Sequence, residues 1–221
     1  QIPHIVETPD QMVGQVDAAC VDHRHGKYHL PAVKPLLEAK VPLFVDKPFC
    51  YRKAEGKRFL ARAAELGVPV CSYSVLPKQK SFVDFKRKMR SLGKIHSLVS
   101  TGPCDMVLNL LGYDMAYGEV VRGTGKNHAG VITYKSGAVA SMNLVGEGRA
   151  RFHLSAIGEN GRLDEYISFD ENTYLSGTRT FCRMFKTGKT SETAETMLGP
   201  VAALEALEKS ISKGSRVRIN L

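Results

Sequence analysis

The stretch VDAACVDHRHGKYHLPAVKPLLEAKVPLFVDKP, residues 16–48, decides the fold class. It opens on Val16-Asp17-Ala18-Ala19-Cys20-Val21, a short apolar run of small and β-branched residues that reads as a buried strand. Asp22 to Lys27 is a polar loop, and from Tyr28 to Ala39 the residues Leu30, Val33, Leu36 and Leu37 recur at helical spacing. Val41-Pro42-Leu43-Phe44-Val45 is a second strand, with Pro42 tolerable at its start. Working outward, Lys53 to Leu66 sets Phe59, Leu60, Ala63 and Ala64 on one side of a helix that Gly67 stops, and Val68 to Tyr73 is a third strand. Residues 16–73 therefore alternate strand and helix. The strands are apolar throughout rather than every second residue, as a parallel sheet buried on both faces requires. The expected class is α/β, with half of a doubly wound parallel sheet.

After Val75 the pattern changes. A helix is expected from Phe82 to Leu92, a half-exposed strand from Ile95 to Ser100, and a short helix from Met106 to Leu111. Val131 to Tyr134 and Ala138 to Met142 flank Lys135-Ser136-Gly137 as a hairpin, and Asn160-Gly161 marks a second hairpin between Phe152 to Ile157 and Arg162 to Ile167. Ser191 to Lys213 is largely helical, with Gly199-Pro200 expected to break or kink it. This half reads as a C-terminal α+β domain with an open, mainly antiparallel sheet, so the domains expected are 1–75 and 76–221. The second face of that sheet is expected to carry Val131, Val139, Met142 and Leu144 and to pack against a second copy, giving a homo-dimer or homo-tetramer.

The 221 residues are 43% hydrophobic and 24% charged, which excludes collagen, coiled coil and wholesale disorder and allows a real core. No apolar run reaches the roughly 18 residues of a membrane span. The chain opens on Gln1-Ile2-Pro3-His4, with no Met and no secretory leader, as an interior stretch of a longer polypeptide would. Five cysteines without C-x-x-C spacing read as reduced, mostly buried thiols of a cytoplasmic protein, and no clustered ligands suggest a metal. The net charge of +9 is local, with +6 of it in residues 76–150. Its densest part, Lys78 to Lys94, interleaves with Phe82, Val83, Phe85, Met89 and Leu92, the pattern of an amphipathic helix with a solvated basic face rather than a nucleic-acid reader. An anionic cofactor or substrate is the partner such a charge suits.

The triplet Asp46-Lys47-Pro48 carries the chemistry. Ligands of open parallel sheets bind at the carboxyl ends of the strands, which is where this charged pair falls. Pro48 restricts the backbone of Lys47, and a partly buried Lys can lose its proton or polarise a hydroxyl. As a surface loop, the same triplet would be an ordinary ion pair. His29 opens the helix before that strand, where a lone His also serves as a structural group. His23 and His25 occupy the loop after the first strand, at another carboxyl end, facing a ligand or water.

From His29 to Pro48 the order resembles the Gfo/Idh/MocA family of NAD(P)-dependent oxidoreductases, the group of glucose–fructose oxidoreductase and inositol dehydrogenase. The residues that carry the resemblance are Val16-Asp17-Ala18-Ala19, His29, Leu37-Glu38-Ala39-Lys40 and Asp46-Lys47-Pro48, the last standing where the family has Glu-Lys-Pro. Gly93-Lys94-Ile95, Tyr134 to Ala140, Lys186-Thr187-Gly188-Lys189 and the run from Pro200 to Gly214 extend it over nearly the whole chain. The resemblance implies a partial Rossmann-like sheet, NAD or NADP as cofactor, and hydride transfer to or from a secondary alcohol of a sugar, polyol or related small molecule. It makes Lys47 the catalytic residue, touching the reacting hydroxyl and the nicotinamide ribose. Asp46 would orient Lys47, Pro48 would fix its backbone, and His29 and His23 would line the cofactor side.

Beyond Asp46 in place of Glu, the sequence departs from that family in three further places. Lys40 stands where the family has Gly. No G-x-G-x-x-G occurs anywhere, so the backbone cradle for a pyrophosphate is missing, together with the acid that holds the ribose. The Asp-x-x-x-His segment that precedes a helix like Met106 to Leu111 is missing as well. Two readings follow: stretches of a dehydrogenase that lie outside this sequence, or a non-catalytic binding or assembly protein that has lost the cofactor loop.

Overall fold

A computed structural model of the chain describes residues 4–148 and 150–221, so the opening Gln1-Ile2-Pro3 lies outside the described residues. In chain order the elements are β1 (Ala19–Val21), α1 (His29–Glu38), β2 (Leu43–Val45), α2 (Lys53–Leu66), β3 (Val70–Cys71), α3 (Lys80–Met89), β4 (Ile95–Thr101) and α4 (Cys104–Leu111). There follow β5 (Met115–Arg122), β6 (Asn127–Tyr134), β7 (Val139–Val145), β8 (His153–Gly158), β9 (Gly161–Tyr166), α5 (Leu175–Thr187), α6 (Ala194–Lys213) and β10 (Val217–Arg218). Among the described residues no helix is long and apolar enough to cross a membrane.

The strands form two sheets, one of three parallel strands in the order β1-β2-β3, the other of seven in the order β10-β5-β6-β7-β4-β8-β9. In the larger sheet β4 pairs with β7 in parallel, and the other pairings are antiparallel. The mixed α/β class with a parallel sheet and a larger, mostly antiparallel one is the one the sequence pattern implies.

The compact units are residues 1–74 with 177–201, and residues 75–176 with 202–221. The segment 177–201 thus packs with the first unit, whereas the strand pattern places it in one continuous block 76–221. The reason is visible on the three-stranded sheet. One face, presented by Ala19, Val21, Leu43, Val45 and Val70, packs on α1, α2 and the first turns of α6 through Val33, Phe59, Leu198 and Val201. The opposite face carries the row Cys20, Phe44, Cys71, aligned across the strands. Phe44 and Cys71 cluster with Met184 of α5, and the ring of Phe44 stacks on Phe181 with centroids 4.6 Å apart. An apolar strand needs cover on both sides, and α5 supplies the second. Cys20 ends that row and is exposed, unlike Cys50, Cys71 and Cys104, which are buried. Close approach in this unit also requires Gly56 of α2, where a Cβ would stand 2.6 Å from Cys50 Sγ and 2.6 Å from Leu198 Cδ2.

In the second unit the seven-stranded sheet buries Leu98, Ile132, Ala140, Met142, Leu154 and Ala156 against α3, α4 and the later turns of α6. The register corrects the expected open face. Met142 pairs with Gly130 and Leu144 with His128, so both belong to the helix-covered side, and Met142 is fully buried. Val131 pairs with Ser141 and Thr133 with Val139, so Val131 and Val139 share the other side. That side also presents Tyr117, Val121, Val145, Ile157 and Tyr166, all exposed. Gly199-Pro200 does not end α6, which continues to Lys213. On both sides of Pro200 the residues Met197, Leu198, Val201, Ala203, Ala206 and Leu207 are buried, while Leu204 faces outward.

Candidate active site

The backbone of β2 sets the position of the first candidate residue. The Asp46 N–H donates to the Val21 carbonyl at 2.8 Å, which continues the parallel ladder one step beyond β2 and holds Asp46 at the carboxyl end of β1 and β2. Asp46 is half-buried and Lys47 exposed, and the chain dives back at once through buried Phe49 and Cys50. Phe49 is the anchor, packing edge-on against Phe59 of α2 with centroids 6.0 Å apart. The Lys47–Pro48 peptide is cis. Among the described residues the Lys47 ammonium and the Asp46 carboxylate form no ion pair or hydrogen bond with each other or with a third group. The lysine is therefore exposed rather than partly buried, and its three N–H donors are free for a ligand.

His29 is the residue that ties the site together. It is fully buried at the start of α1. Its Nδ1 lies 3.0 Å from the Pro48 carbonyl oxygen and its Nε2 2.6 Å from the His23 carbonyl oxygen. Carbonyl oxygens only accept, so the ring N–H donates to one or the other according to the tautomer, and the ring spans the gap between the loop after β1 and the turn after β2. The two loops also touch at Gly26, where a Cβ would stand 3.0 Å from the Pro48 oxygen. The ring of His29 is committed to these carbonyls, so it reaches a ligand only through the loops it holds. His23 contributes its carbonyl inward and its ring outward, 6.0 Å from the Tyr28 ring.

The structure adds residues that the sequence pattern does not single out. The rings of His25 and Tyr51 lie 5.2 Å apart, the Arg52 guanidinium sits 4.0 Å over the Tyr51 ring, and Lys27 Nζ stands 4.6 Å over Tyr28. Exposed rings and cations thus gather beside the Asp46-Lys47-Pro48 turn. Nothing in the periodicity of the chain joins residue 25 to residue 51; the clamp of His29 and Gly26 does. Cys20, on the neighbouring strand, touches solvent, but partial burial of its thiol, then Cys182 and Asp22, push it up to about 11, which leaves little thiolate at neutral pH. Among the described residues no group of three His, Cys, Asp or Glu is placed to hold a metal ion.

A dinucleotide would find part of what it needs. The free lysine, the adjacent carboxylate and the exposed rings suit the reacting end, where a planar ring and a hydroxyl must meet. The pyrophosphate cradle of backbone N–H groups has no counterpart in this sequence, because G-x-G-x-x-G is absent. The residues present therefore fit one wall of a cofactor crevice and not its phosphate half.

No protein-family model matches the sequence, and no curated protein matches it. Solved structures match over almost all of it. GenD2 from gentamicin A biosynthesis, in complex with NAD, superposes with a TM-score of 0.85 at 15% identity, covering 99% of this chain and 83% of that one. Scyllo-inositol dehydrogenase of Lactobacillus casei, with NAD(H) and scyllo-inositol, gives 0.82 at 15% identity over 96% and 84%. The WlbA dehydrogenase of Bordetella pertussis, with NADH and UDP-GlcNAcA, gives 0.79 at 16% identity over 97% and 83%. At these identities the likeness is one of fold: the chain has the fold of the Gfo/Idh/MocA-type dehydrogenases.

Proposed function

We propose that this chain acts in hydride transfer between NAD or NADP and a secondary alcohol of a sugar, polyol or related small molecule. One observation carries the reading: in a fold shared with dehydrogenases solved with NAD, a lysine with no partner of its own stands at the carboxyl end of a buried parallel strand, on a turn latched from behind by His29. The cofactor supplies the hydride acceptor or donor. The protein supplies the rest. Lys47 Nζ donates a hydrogen bond to the reacting oxygen and, in the reductive direction, gives that oxygen its proton. Asp46, the residue before Lys47 on the same turn, orients it. Pro48 and the His29 clamp fix where the lysine backbone sits, and the exposed rings of His23, His25, Tyr28 and Tyr51 offer a surface on which a planar group can lie.

Two experiments test this. With millimolar NAD or NADP and a panel of inositols, sugars and sugar acids, cofactor reduction followed by absorbance is expected for at least one substrate; no turnover across the panel contradicts the reading. In calorimetry, a polypeptide of residues 1–221 is expected to bind NAD(H) or NADPH at about 1 mM or weaker, only about −4 kcal/mol, because the phosphate half of the crevice is missing. Micromolar binding would move the cofactor to another place on the chain. The same reading includes self-association through the sheet face that presents Tyr117, Val121, Val139, Val145, Ile157 and Tyr166, since an apolar sheet face of this kind is normally covered. Light scattering is expected to give a dimer or tetramer, and a monomer at high micromolar concentration overturns that part.

A further inference from the structure

The second unit contains a cavity of about 450 Å³ at the carboxyl ends of β4 and β7, within the size range of small-molecule sites. It is bounded by Thr101, Gly102 and Pro103 on the turn into α4, by the start of β6, by the end of β7 and by the approach to β8. Among the described residues its lining carries basic side chains and no acidic one. Lys126, His128 and Arg151 line it, and no Asp or Glu does. Among the described residues neither Lys126 nor Arg151 forms an ion pair. The nearby carboxylate, Glu147, is turned to the side chain of Asn127.

Of the remaining polar groups His128 and Thr101 keep a hydrogen to give, and Asn143 keeps its Oδ1 as an acceptor. Gly123 N–H donates to His128 Nδ1 at 3.3 Å, which leaves Nε2 as the nitrogen carrying hydrogen. Asn143 Nδ2 donates to Thr101 Oγ1 at 3.0 Å, joining the ends of the two parallel strands. With its oxygen occupied as an acceptor, the Thr101 hydroxyl has its hydrogen left to give. The apolar part of the lining is firm. Gly102 is pressed so close to its neighbours that a Cβ would stand 3.0 Å from Phe152 Cδ1, and Phe152 is braced edge-on by Phe169 at 5.7 Å.

We infer that this cavity is a binding site for a small carbohydrate-like molecule bearing an oxyanion, a carboxylate or a phosphate monoester. Lys126, Arg151 and two further donors meet the charged group, and Phe152 with Leu144 meets the carbon skeleton. The site lies within the second unit and does not depend on the hydride-transfer reading.

Amide NMR of the full chain, titrated separately with inorganic phosphate, D-glucuronate and myo-inositol, tests the site. Saturable shifts are expected at Asn143, Gly146 and Phe152 with phosphate or with glucuronate, the stronger binder telling which oxyanion the site takes. Neutral myo-inositol is expected to bind at least 10-fold more weakly. Lys126→Ala with Arg151→Ala should weaken anion binding at least 10-fold, while Arg87→Ala with Arg90→Ala, which removes the same charge from the basic helix face, should leave it unchanged. No saturable binding of either anion, equal binding of myo-inositol, or equal loss in the two double variants each overturns the proposal. Because the readout is binding, a failure of the dehydrogenase reading does not alter its outcome.

Discussion

At the carboxyl end of β2 the chain turns through Asp46-Lys47-Pro48, and at the carboxyl end of β4 it turns through Gly102-Pro103 into α4. Both turns follow a strand with a parallel neighbour, yet they are built by opposite means. The first carries its reactive group on itself. Lys47 projects outward while a buried imidazole grips the backbone from behind at 3.0 and 2.6 Å. The second carries no chemistry of its own. Gly102 is squeezed between Met106 and Phe152, and the charge comes from the ends of other segments, Lys126, His128 and Arg151. A strand end can thus make a site by presenting a side chain from a fixed backbone, or by leaving room that neighbours fill with donors.

This contrast can be broken at either turn. The largest stability effect is expected for His29→Ala. The imidazole hydrogen bond between the two loops is lost and a cavity opens in a buried position, so the unfolding free energy should fall by about 2–4 kcal/mol in urea titration. Lys47→Ala should leave the same titration within about 0.5 kcal/mol, as an exposed side chain without partners requires. An equal loss in both variants would mean that the lysine, too, is structural.

At the other turn Gly102→Ala is expected to cost about 1–3 kcal/mol. The new Cβ would meet the Phe152 ring and the buried Met106 methyl, and Gly102 has φ +149. Gly148→Ala, with no heavy atom within 4 Å of its Cβ position, controls for the positive φ alone. If the two cost the same, the packing at Gly102 does not matter.

The smallest effect distinguishes two helix ends beside the first turn. Gly67 closes α2 at φ 68, the left-handed conformation that glycine adopts without strain. After α1 the same conformation falls to Lys40 at φ 61, with Val41 N–H donating to the Leu36 carbonyl at 2.9 Å. Lys40→Gly should therefore raise stability by about 0.5–1 kcal/mol, the relief of strain less the chain entropy of glycine. A loss instead would show that the Lys40 side chain contributes contacts that outweigh its backbone strain.

The exposed thiol at the edge of the parallel sheet adds a pH test. With the Cys20 thiol held near 11, its thiolate is about one part in a thousand at pH 8. Its alkylation rate should climb about tenfold per pH unit through pH 9, when read by peptide mass spectrometry. A plateau near pH 8.5 would show that the Cys20 thiol is not raised.

The parallel half was legible because β1, β2 and β3 are apolar at every position, and Asp46-Lys47-Pro48 could be found because it interrupts that pattern at a strand end. The hairpins at Gly137 and Asn160-Gly161 were legible from their turn residues. Other features depend on packing that no local pattern records. β5 has Gly118 in its middle, where Leu207 and Ile219 press close, so its alternation fails. α5 has a thin apolar stripe, Phe181, Met184 and Phe185, that makes sense only against Phe44 and Cys71. Met142 and Leu144 lie one residue out of step with Val139, and the register alone assigns their face. At the site, the lysine could be read from the chain, whereas the double grip of His29 and the approach of His25 to Tyr51 required the loops to be folded together.

The most direct test of the hydride-transfer reading uses isotope rather than rate alone. NADH carrying deuterium at C4 is mixed at millimolar concentration with the wild-type chain and the ketone of a substrate found in the panel above. Mass spectrometry then follows deuterium into the new alcohol carbon. Transfer is expected in the wild type and should be lower by about 10²-fold or more in Lys47→Ala, the usual weight of a positioned proton donor, with melting unchanged. Undiminished transfer in Lys47→Ala would remove the lysine from the chemistry, and an alcohol without deuterium in the wild type would contradict the hydride-transfer reading.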